Sequence, residues 1–72
     1  MPGAMKYLVI VEKGANSSGA YVPDLPGCAV VAETRREALK LIREAVGLHL
    51  ESLREAGNAI PEPSSTTEYV QV

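Results

Sequence analysis

Seventy-two residues are enough for one domain, and a chain of this length buries only about 60% of the surface it exposes when unfolded, so its core is marginal without further help. One cysteine excludes an internal disulfide, and one cysteine with one histidine excludes a zinc-type cluster, which leaves self-association as the expected reinforcement. Seven basic against nine acidic side chains, a formal charge of −2, is not the footprint of a dedicated nucleic-acid binder, and 46% hydrophobic residues exclude a disordered chain.

Residues 1–5 hold no apolar run of signal-peptide length, and no later segment could span a bilayer, so the expected setting is the cytoplasm with no membrane partner. Asn16-Ser17-Ser18 matches a glycosylation sequon, which without export is an accident of composition.

Residues 6–12, KYLVIVE, are rich in β-branched and aromatic side chains and predict a strand. Its run Tyr7-Leu8-Val9-Ile10-Val11 is apolar on both faces, as in a central strand covered on both sides. The cluster from Gly14 to Gly19 is a turn, and Ala20-Tyr21-Val22 opens a second strand, which makes a hairpin. Cys28-Ala29-Val30-Val31-Ala32 is a short third strand. Thr34-Arg35-Arg36-Glu37 has the capping-box form, with Thr34 as N-cap and Glu37 reaching back to its amide. A helix then runs to about Ala56, and Gly57 supplies the left-handed residue beyond its end. Gly47, inside that helix, costs about 1 kcal/mol against alanine, which points to close packing there. The prolines of NAIPEPSSTT keep residues 58–67 extended. Residues 68–72 alternate and predict a last strand with Val70 and Val72 facing inward. The expected fold is α+β in the order β-β-β-α-β, with three antiparallel strands, one long helix on the sheet, and a final strand laid parallel to the first by a right-handed crossover.

The stretch YVPDLPGC is a corner. Pro23 cannot donate to a ladder, so the second strand ends or reaches an edge there. Leu25-Pro26-Gly27-Cys28 fits a type II turn, with Pro26 at its second position and Gly27 supplying positive φ at its third. Asp24 is expected to bond local amides. Cys28 is expected as a small buried apolar residue at the start of the next strand.

This corner, followed by ETRREALKLIREAVGLHLESLREAG and then IPEP, resembles the HicB-like antitoxin family over nearly the whole chain. The residues that carry the resemblance are Pro23, Asp24, Leu25, Pro26, Gly27 and Cys28, then Thr34, Glu37 and Ala38, then Ile60, Pro61 and Pro63. Ala32 and Glu33 stand where Gly-Asp is usual in the family. The resemblance implies a single HicB-like domain over residues 1–72 with a partial ribonuclease-H-like fold. It also implies an antitoxin that binds a small basic HicA-like toxin, an mRNA interferase, and blocks its nuclease surface. Many members carry a further C-terminal DNA-binding domain. This chain reaches only Val72, so autoregulatory DNA binding is not expected of it. The alternative is a stand-alone oligomeric domain with a scaffold or small-ligand role and no toxin partner.

No catalytic, cofactor or metal site is expected. A ribonuclease-H-type nuclease needs carboxylates converging on two metal ions, and Leu8 to Val11 offers none. Glu12, Asp24, Glu33 and Glu37 fall at a strand end, a corner and a helix start. Cys28 and His49 could pair as nucleophile and base, but nothing orients them. Arg36, Lys40 and Arg43 form a basic stripe on the helix, read as a solvated face.

At roughly 100° per residue, Leu39, Ile42, Val46, Leu50 and Leu53 gather on the helix face turned to the sheet. Opposite them lie Glu37, Leu41, Glu44, Leu48, Glu51 and Glu55. Two leucines a heptad apart on an acidic stripe mark a contact surface, so Leu41, Leu48, Glu44 and Glu51 are the expected interface with a toxin or a second copy.

Overall fold

The structure, a computed structural model, describes residues 5–72. Residues 1–4, part of the stretch read above for a signal peptide, lie outside the described residues. Three strands, β1 (Ile10–Lys13), β2 (Ser18–Tyr21) and β3 (Ala29–Ala32), form an antiparallel sheet in the order β1-β2-β3, and one helix, α1 (Arg35–Glu55), follows. This is the expected α+β arrangement of three antiparallel strands and a helix.

The hairpin closes through Gly14-Ala15-Asn16-Ser17, where the Gly14 amide donates to the Ser17 carbonyl at 2.8 Å. Its register sets Ile10 against Tyr21 and Val11 against Ala20, and β2 continues the rows by setting Ala20 against Val30 and Tyr21 against Ala29. Because side chains alternate along a strand, this register divides the sheet cleanly. Tyr7, Val9, Val11, Ala20, Val22, Cys28, Val30 and Ala32 belong to the core under α1, while Ile10, Tyr21, Ala29 and Val31 stand on the other face.

The helix begins at the expected N-cap, Thr34, but the Glu37 carboxylate meets the Thr34 hydroxyl and not its amide as the capping-box reading expects. The Thr34 side-chain oxygen accepts from the Glu37 amide at 3.2 Å, and the Thr34 hydroxyl also meets a Glu37 carboxylate oxygen at 3.1 Å. It ends on Gly57 at φ +75, where the Gly57 amide donates to the Arg54 carbonyl and the Asn58 amide to the Leu53 carbonyl. That pair of bonds is a Schellman motif, which only a residue at ease with positive φ can close. Ala38 and Ile42 are buried at the centre, with Ala45, Val46 and Leu50 packed against them. The buried face is therefore rotated toward Ala38 and Ala45, two residues that the leucine-rich periodicity hides. Gly47 is exposed, and a Cβ built on it would meet nothing within 4 Å. The close packing expected there is absent.

Two expectations about the sheet are corrected. First, β1 is an edge strand with regular pairing only from Ile10, whereas its doubly apolar sequence reads as central. Second, residues 68–72 form no strand, and Tyr69, Val70 and Val72 are exposed at 98%, 81% and 118% rather than facing inward. The extended segment after the helix is fastened instead by Tyr7, just before β1, and by Asp24 in the corner, and residues 68–72 pair with no strand among the described residues.

Candidate functional site

The corner between β2 and β3 is built from two consecutive turns. In the first, Val22-Pro23-Asp24-Leu25, the Leu25 amide donates to the Val22 carbonyl at 3.1 Å. In the second, Leu25-Pro26-Gly27-Cys28, the Cys28 amide donates to the Leu25 carbonyl at 3.0 Å, and Gly27 takes φ +83. A proline sits second in each turn, where its fixed φ is already suitable and its missing N–H is not needed. The Val22 amide donates to the Cys28 carbonyl at 3.1 Å and closes the loop into the ladder. Leu25 points inward from the junction of the turns and is fully buried, so the corner is also a plug for the core. Sequence reasoning missed that role. The signal was available in a lone apolar residue flanked by Pro-Asp and Pro-Gly.

Asp24 does not bond local amides as expected. Its carboxylate accepts from the amides of Ser64 at 2.9 Å and Ser65 at 3.0 Å, and from the hydroxyls of Ser64 at 3.1 Å and Ser65 at 2.8 Å. All four donors favour the ionised form, led by the Ser65 amide and hydroxyl, and they hold the carboxyl down at about 2. Nearby, the Tyr7 hydroxyl donates to the Pro61 carbonyl. Burial, and secondarily the negative charges of Glu62 and Asp24, push the Tyr7 hydroxyl above its ordinary value. Pro61, Ser64 and Ser65 are thus fastened in order along the end of the hairpin. These contacts span 40 and more residues, and no local pattern could announce them.

Cys28 is buried, and burial pushes its thiol up, the opposite of what a nucleophile requires. Among the described residues no three His, Cys, Asp or Glu side chains come together to hold a metal ion. Glu37 is engaged with Thr34 at the helix cap. Arg36, Lys40 and Arg43 are exposed along one flank of α1 and, with Arg35 and Leu39, line a shallow surface.

On the outward face of α1, Leu41 is 39% and Leu48 68% exposed, and Glu44 and Glu51 between and beyond them are exposed as well. The stripe is therefore accessible along its whole length, with two apolar side chains among carboxylates. Among the described residues no helix is long and apolar enough to cross a membrane.

The family profile described as "HicB_like antitoxin of bacterial toxin-antitoxin system" matches residues 7–72. The chain belongs to the HicB-like antitoxin family. Its relatives include a UPF0150 protein of Thermoplasma acidophilum, 41% identical over 64 residues that cover 85% of this chain and 90% of that protein. A UPF0150 protein of Archaeoglobus fulgidus is 38% identical over 50 residues, 65% of this chain and 70% of the relative. An uncharacterized 14.9 kDa protein from the rep-hol intergenic region of Haemophilus phage HP1 is 30% identical over 66 residues, 92% of this chain but 50% of the phage protein. No solved structure matches the chain. The corner, the helix cap and the Ile-Pro-x-Pro segment that carried the resemblance all lie within the matched residues. The structure adds that corner and segment are physically joined through Asp24, Ser64 and Ser65.

Proposed function

We propose that this HicB-like protein is a non-enzymatic antitoxin module that neutralises a small, basic, HicA-like mRNA interferase by direct contact in the cytoplasm. Residues 1–72 act as one domain, and the three antiparallel strands with their helix support a partial ribonuclease-H-like framework. The observation that carries the reading is the exposed stripe of α1, on a chain whose family is one of antitoxins. An RNA-cleaving partner must be basic where it grips phosphates, and Glu44 and Glu51 offer complementary charge for encounter while Leu41 and Leu48 offer apolar anchors. Such a binder needs no DNA-binding domain to block the nuclease surface.

The test is co-expression with a small basic HicA-like mRNA interferase, sought first among the genes adjacent to this one, followed by affinity capture and an mRNA-cleavage assay. Capture of that protein and loss of its cleavage activity are expected with the wild-type chain. Leu41→Glu combined with Leu48→Glu should abolish both while leaving the helical circular-dichroism signal unchanged. A double variant that still captures and inhibits the toxin would remove the stripe from the interface. Metal-dependent RNA cleavage by the purified chain itself, abolished by Asp24→Asn or Glu37→Gln, would overturn the non-enzymatic reading.

A further inference from the structure

Between the β1–β2 turn and the first turn of α1 lies an open cleft of about 540 Å³. That volume suits a small-molecule ligand. Its walls bring Lys13 and Ser18 of the hairpin together with Glu33, Thr34 and Arg35 at the entry to the helix. Ser18 stands out among them. It lies on the helix-facing side of β2 with Ala20, opposite Ala32 of β3, and is only 5% exposed, the one buried polar side chain among the described residues. Its hydroxyl has no hydrogen-bond partner there, although every fully enclosed side-chain oxygen and nitrogen does. The little surface that Ser18 keeps is therefore at its oxygen, opening into the cleft that it lines. A hydroxyl taken out of water without a partner is a cost to folding, and a polar ligand in the cleft would offset it.

The groups around Ser18 select an anion. Lys13 stands directly opposite Ser18 in the ladder, so its ammonium rises on the same face of the sheet. Arg35, the first helical residue, brings a guanidinium from the other wall. In the first turn of α1 the Glu37 amide donates to the Thr34 side chain and the Ala38 amide to the Thr34 carbonyl. The amides of Arg35 and Arg36 are left without a partner among the described residues, at the positive end of a 21-residue helix. Glu33 is the single carboxylate on the wall, against two cations and the helix end. A hydroxyl, an ammonium, a guanidinium and main-chain amides are the donors that phosphate oxygens take.

We propose that this cleft binds a phosphate group, free or carried on a small molecule, with Lys13, Ser18 and Arg35 as the side chains that hold it. The two cations supply attraction, and the Ser18 hydroxyl gains the hydrogen bond that the fold denies it. The hairpin and the helix entry that form the cleft are both rigid elements of the core layer. The site stands apart from the stripe of Leu41 and Leu48 and needs no toxin.

Amide NMR of the full chain, titrated separately with inorganic phosphate and with ribose 5-phosphate in about 0.15 M chloride, tests this. At least one of the two should move the Ser18, Arg35 and Arg36 amides along a saturating curve, while ribose leaves them unmoved. Tighter binding of the ester identifies a phosphorylated small molecule as the ligand, and otherwise the free ion is the ligand. Ser18→Ala should weaken binding at least about fivefold without lowering the unfolding midpoint of the free protein, because the hydroxyl removed has no partner in the fold. Lys13→Gln with Arg35→Gln should abolish saturation and leave the helical signal unchanged, since both side chains are exposed. Shifts that saturate with neither probe overturn the proposal. So does binding that keeps its wild-type strength in Ser18→Ala or in the Lys13 and Arg35 double variant.

Discussion

Asp24 grips Ser65 twice across 41 residues of sequence, through the amide at 3.0 Å and the hydroxyl at 2.8 Å, and so ties the segment after the helix to the corner before the third strand. The sign of the resulting pH dependence follows from the lowered carboxyl. Asp24 titrates at about 2 when folded, below its ordinary value of 3.8, so its stabilisation is complete above that ordinary value and disappears as pH falls through about 2. Amide exchange at Ser64 and Ser65 should accelerate in that window relative to the amides inside α1. Asp24→Asn should remove the pH dependence and leave both serine amides less protected at neutral pH.

Gly27→Val should destabilise the protein by more than the ~1 kcal/mol of a glycine change at a compatible site. The space around Gly27 is open, with nothing within 4 Å of a built Cβ, so the cost is backbone strain at φ +83 and not a clash. Urea unfolding measures it. A shift no larger than that of Gly14→Val, a glycine without positive φ, would show that the second turn does not need its glycine.

Gly47→Ala should act in the opposite direction. Gly47 lies in the middle of α1, is exposed and faces empty space, so alanine should stabilise by about 1 kcal/mol through propensity alone. A higher midpoint in urea with an unchanged slope is the expected result.

Ile42→Ala should cost about 2–5 kcal/mol, since Ile42 is among the largest fully buried side chains, whereas Leu48→Ala, 68% exposed, should change stability by less than about 0.5 kcal/mol. Equal losses at the two positions would mean that the helix is turned differently on its sheet.

Cys28 should react with a thiol reagent at least about tenfold more slowly in the native protein than in denaturant, because burial both shields the sulfur and raises its pKa. Raising the pH from 7 to 9 should restore little of that difference if access, rather than ionisation, limits the reaction.

Local chemistry alone determined much of this protein. The Thr34 N-cap, the Gly57 terminus and the Pro26–Gly27 turn each depend on backbone geometry that a few adjacent residues impose, and each is where the residues put it. The three short strands are present with shifted bounds, regular pairing beginning at Ile10 in β1 and already at Ser18 in β2. The outward position of Leu41 and Leu48 was likewise legible, because helical periodicity fixes which side chains share a face. Tertiary structure decided the rest. Leu25 became a core plug because two turns aim it inward, and Asp24 found its donors 40 and 41 residues away, neither of which periodicity can encode. The apolar run Tyr7–Val11 reads as a central strand covered on both faces, but among the described residues β1 is an edge strand paired only with β2, with the single helix on one face of the sheet. The fastening of Pro61 at Tyr7 and of Ser65 at Asp24 closes loops of more than 40 residues, and no run of adjacent residues encodes a contact at that separation.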